Sequence, residues 1–105
     1  MKEVQGILCK RFGGVTSYPA VGLFKRASGA PEEERVQVLE SFCAPDAWRE
    51  NEGFLIKMAE VIGAILKQES IACQVNGWMH LIGPVSGVAS GRLDADLEST
   101  VEALL

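Results

Sequence analysis

Cys73 and His80 are the two residues of this chain best placed to do chemistry together. Between them runs Gln74-Val75-Asn76-Gly77-Trp78-Met79, and Asn-Gly accepts positive φ at both central positions of a type I′ turn, the connection that matches strand twist. A two-residue turn there sets Val75 against Trp78, Gln74 against Met79, Cys73 against His80 and Ile71 against Ile82. Opposed side chains on one face can come within hydrogen-bond reach, and an imidazole beside a thiol lowers its pKa and makes it nucleophilic. His80 is the only histidine, so any thiol–imidazole chemistry must use it. No orienting acid or oxyanion-hole motif accompanies the pair. The plainer reading is therefore preferred: a space-filling histidine beside a cysteine acting as a small hydrophobe. No residue is assigned a catalytic role.

Other chemistries fare no better. Cys9, Cys43 and Cys73 with His80 could supply a Cys3His metal site, but the cysteines are widely spaced and lack the close ligand pairs zinc sites use. No metal or other cofactor is expected. The segment GPVSGVASGR, after a strand and before a helix, matches neither GxxxxGK[ST] nor GxGxxG, and Asp94 and Asp96 behind it repel phosphate. Lys10, Arg11, Lys25 and Arg26, near Phe12, Tyr18 and Phe24, could form a basic edge for nucleic acid. Solvated strand ends beside core aromatics explain the same residues, and a net charge of −4 with a pI near 4.9 gives no general attraction for phosphate backbones. Glu32-Glu33-Glu34 reads as a solvated loop.

The elements that must hold Cys73 and His80 are organised around Asp46 to Gln68, the one long helix. Phe54, Leu55, Met58, Ala59, Ile62, Ile65 and Leu66 fall on one broad face at helical spacing, with Lys57, Glu60, Lys67 and Gln68 opposite. Pro45 and Asp46 suit its start. Gly53 is a weak point where a first short segment could separate. Val4 to Phe12 reads as a strand, Ala20 to Lys25 as a second, and Arg35 to Phe42 as a third, since β-branched Val36 and Val38 alternate with polar neighbours. Ile71–Val75 and Trp78–Ile82 form the hairpin. Its face bearing Ile71, Cys73, Val75, Trp78, His80 and Ile82 is the more apolar and should meet the helix. A flexible small-residue linker then leads to a terminal helix from Leu93 to Leu105.

These elements predict an α+β fold in the order β-β-β-α-β-β-α: a mainly antiparallel sheet of four or five strands, with both helices on one face. The length, with 48% hydrophobic and 23% charged residues, fits one globular domain spanning 1–105. The absence of a signal peptide, of a membrane-length apolar run and of paired cysteines points to a cytoplasmic protein with reduced thiols. The unit from Trp48 to Ile82 resembles small α+β proteins carried by bacterial mobile elements, a likeness that assigns no role to any residue.

Two functions are expected from these residues. The first is a non-enzymatic interaction module, self-associating as a homodimer or binding another protein or a small apolar ligand. Its contact stripe would be Leu93, Leu97, Val101 and Leu104, in residues 90–105. The thirteen-residue helix is too short to be stable alone and must dock on its own chain or on a second copy. The second is a small ligand-binding or enzymatic domain with a helix–sheet pocket around Cys73, Trp78, His80 and Met58.

Overall fold

The computed structural model describes residues 1–105 and runs α-β-β-α-β-β-α, so the first element is a helix and not the expected strand. Helix α1 spans Lys2–Phe12. Val4, Ile7, Leu8 and Phe12 recur at helical spacing and all four are buried, which a strand's two-residue period could not achieve. Lys10 and Arg11 lie at the helix end that favours cations. Gly13 closes it at φ 95°, its N–H donating to the Cys9 carbonyl at 2.9 Å.

Strands β1 (Thr16–Lys25) and β2 (Pro31–Glu40) pair antiparallel along their whole length. Both start earlier than expected, β1 at Thr16 and not Ala20, β2 at Pro31 and not Arg35: Glu32, Glu33 and Glu34 are in β2 and not in a loop, opposite Phe24, Leu23 and Gly22. At its other end β2 stops at Glu40, leaving Phe42 outside and 87% exposed. Pro19 is tolerated because each strand of a two-stranded ribbon has a free edge that needs no donor.

Helix α2 (Pro45–Ile65) is continuous through Gly53 and carries proline in its first turn. It ends short of Gln68, where Lys67 turns left-handed at φ 54° and the Gln68 N–H reaches back to the Gly63 carbonyl at 2.8 Å. Strands β3 (Ile71–Val75) and β4 (Trp78–Ile82) follow in the register read from the sequence. Asn76 and Gly77 take φ of 51° and 85° at the bend. The two ribbons are separate two-stranded sheets, not one sheet of four or five strands. Pro19 on β1 and the charge run Glu32–Arg35 on β2 both discourage edge pairing.

The segment after β4 is anchored, not a free linker. Its Val85 N–H bonds the Glu60 carbonyl and its Gly91 N–H the Ile65 carbonyl, both on α2. Helix α3 is seven residues, Leu97–Ala103, shorter than the stretch to Leu105.

The core is helix against helix. Val4, Ile7, Leu8 and Phe12 of α1 meet Phe54, Met58, Val61 and Ile62 of α2, and Leu97 and Val101 of α3 complete the cluster. Arg11 clasps all three helices. Its guanidinium donates to Glu98 at 3.0 Å, to Glu102 at 2.6 Å and to Asn51 Oδ1 at 3.1 Å, and stacks 3.4 Å over the Phe54 ring. The half of a basic edge that sequence assigned to Lys10 and Arg11 is thus used internally, since Lys10 also bonds Glu98. Asn51, the one buried polar side chain, donates back to the Ala47 carbonyl at 2.8 Å.

Candidate interaction surface

Strand β3 behaves as an amphipathic strand should. Ile71, Cys73 and Val75 are half-buried on the α2 side, while Ala72 and Gln74 face outward. Its neighbour β4 does not follow suit. Trp78 and His80 share the α2-facing side with their cross-strand partners, yet both are exposed, Trp78 by 75%. Helix α2 runs close to both strands, but of β4 it covers only Ile82. On the opposite face Met79 and Leu81 are 59% and 71% exposed. Only Ile82 is half-buried. Apolar side chains therefore stand in water on both faces of one short strand.

The structure keeps Cys73 opposite His80. Burial alone pushes the Cys73 thiol up from its usual value, the reverse of what a nucleophile needs. Met58 lies elsewhere: it is 2% exposed within the core, so it does not line a surface with Trp78. Cys9 and Cys43 are exposed on α1 and on the segment before α2, and no three His, Cys, Asp or Glu side chains converge as a ligand set.

Two clefts form away from this pair. One, about 680 Å³, lies between the β1–β2 turn and the end of α2, among Arg26, Glu34, Lys67 and Glu69. The other, about 430 Å³, lies between α1 and the start of α3. Both are wide open and lined mostly by polar residues.

The terminal stripe divides. Leu97 and Val101 are spent in the chain's own core, Leu93 packs partly against it, and Leu104 is 40% exposed. The β1–β2 ribbon adds a second exposed apolar set that sequence reading passed over, Val21, Leu23 and Phe24. Leu23 stands opposite Glu33 and Phe24 opposite Glu32, so charge is interleaved there. Strand β4 has no such neighbours on its own length. The signal available in the sequence was that WMHLI is apolar at odd and even positions alike.

Fold and surface together define an α+β chain with a helical core and two ribbons, one of them bare and apolar. No helix is long and apolar enough to cross a membrane. No family model, no curated protein and no solved structure matches the chain.

Proposed function

We propose that the chain is a non-enzymatic interaction module that works through the β3–β4 ribbon. The observation that carries this reading is the exposure of Trp78, Met79 and Leu81 on both faces of β4. Large aromatic and methionine side chains are the types enriched at protein contacts. Neither cleft includes Cys73, Trp78, His80 or Met58, and the raised Cys73 thiol offers little to covalent chemistry, so the pocket reading around those four residues has no observation in its favour.

Native mass spectrometry of the chain purified from its producing cells tests this. A mass of two or more copies, or of the chain with another protein, is the expected result, and it should be lost in Trp78→Asp. A bare monomer, or a monomer carrying a small molecule that survives Trp78→Asp, would sink the reading.

A further inference from the structure

We infer that the partner of β4 is β4 of a second copy: two chains pair antiparallel through the open edge of Trp78–Ile82 and join their ribbons into one four-stranded sheet. This rests on the reading of the ribbon as an interaction surface and names its occupant.

Three observations carry it. The first is what distinguishes β4 from the other three strands. Strand β1 has Pro19 and β2 has Glu32 to Arg35, both features that blunt an edge. Strand β3 alternates half-buried with exposed positions, so its faces are already settled. Strands β3 and β4 alike have no proline and no Asp, Glu, Lys or Arg to blunt their edges, and β4 alone adds large apolar side chains left in solvent on both faces.

The second is backbone accounting. Outside the β3–β4 ladder, no hydrogen bond of a turn, loop or cap uses a backbone group of residues 78–82. A ribbon of two short strands is marginal by itself in water, and three or more strands sharing an apolar face are stable.

The third is self-complementarity. A two-fold axis that sets one strand antiparallel to its own copy must stand normal to the sheet. It therefore brings residues of the same face together and passes beside a residue, not between two. An axis at His80 pairs all five residues: Trp78 with Ile82, Met79 with Leu81, and His80 with its own counterpart. An axis at Met79 or Leu81 draws Gly77 or Gly83 into the ladder and leaves part of the strand unpaired. With the axis at His80, Met79–Leu81 contacts form twice on the outer face. Trp78–Ile82 contacts, an aromatic with a β-branched residue, form twice on the other. The same axis keeps both α2 helices on one side of the joint sheet, so each Trp78 enters the space between them. Two chains of net charge −4 repel, and they meet with least repulsion through a strand that carries no charge.

The test is directed cross-linking with sedimentation. Cys9, Cys43 and Cys73 are changed to Ser, and single cysteines are introduced as His80→Cys, Trp78→Cys or Leu81→Cys. Directly opposed Cα atoms in an antiparallel ladder lie about 4.5–5.5 Å apart, within disulfide range. Mild oxidation should give a covalent dimer with His80→Cys and little with the other two, whose counterparts are offset along the strand. In sedimentation the unmodified chain should reach dimer mass as concentration rises. Leu81→Glu, at an exposed position, should leave the circular dichroism unchanged and weaken the dimer about tenfold or more. Equal cross-linking at all three positions, or a specific dimer through Cys73 when that residue is kept, would overturn the proposed seam. A monomer at every concentration that nevertheless travels with another protein in native mass spectrometry would overturn the dimer and leave the interaction module standing. A bare monomer in both measurements would overturn both.

Discussion

Arg11 ties its own helix to both of the others. It bridges 40 residues to Asn51 and 87 to Glu98, and its ring contact adds Phe54. Arg11→Met keeps the aliphatic stem but leaves Asn51 Oδ1 and Glu102 without their donor and Glu98 with Lys10 alone. The expected cost is about 1–3 kcal/mol, read from urea unfolding; an unchanged midpoint would show that the clasp contributes nothing. Glu98 gives the matching pH dependence. Hydrogen bonds from Lys10 and then Arg11 hold its carboxyl below the usual 4.5. A depressed folded value means stability that is present above pH 4.5 and lost as pH falls through the lower folded value. Glu98→Gln should flatten part of that acid decline. Tyr18, the only tyrosine, is a cleaner reporter: its hydroxyl donates to Glu40 at 2.8 Å, and that bond, aided by desolvation and the carboxylate charge, raises its pKa above 10. The midpoint of the phenolate absorbance should therefore lie above 10. Glu40→Ala should bring the transition back to the ordinary value, and identical curves for the two proteins would show that the bond is absent in solution.

At the level of elements, α2 and the β3–β4 hairpin were legible because each carries a redundant signal. Helix α2 has five turns of apolar periodicity, and the hairpin has a two-residue turn that leaves a single register. Helix α1 was harder to read: Val4, Ile7, Leu8 and Phe12 keep the helical period, but Gly6 weakens a helix and the stretch is short. The ends of β1 and β2 were hidden for another reason. Their outer halves bury almost nothing, so no alternation marks them. Of the candidate site, the pairing of Cys73 with His80 could be read in advance, but the exposure of β4 could not. It depends on how much of the ribbon α2 covers. Continuity of α2 through Gly53 has a direct check. Nothing lies within 4 Å of where a Cβ would stand on Gly53, and the same holds for Gly6 in α1. Gly53→Ala and Gly6→Ala should each stabilise the chain by about 0.5–1 kcal/mol. A loss at Gly53 would mean that the helix is broken there.

The whole chain is elongated, 42 × 30 × 21 Å, with the helical core carrying two ribbons that bury little. The proposed dimer would add stability to a molecule built this way. By mass action its urea midpoint should climb with protein concentration, the apparent stability rising by about 1.4 kcal/mol of dimer for each tenfold increase once dimer predominates. Leu81→Glu should make the midpoint independent of concentration; a wild-type midpoint that ignores concentration would argue against coupling of folding to assembly.

The clasp between α1 and α3 also has a consequence for synthesis. Leu97 and Val101 are almost completely enclosed, and they complete the cluster that α2 forms with the apolar stripe of α1, a segment translated some ninety residues earlier. At about 5–20 residues per second, that stripe waits several seconds on the ribosome before the cluster is complete. Until α3 is made, the cluster lacks two of its ten members and stays open to chaperones and proteases. Arrest of translation in that window should yield a fragment that is degraded and does not accumulate.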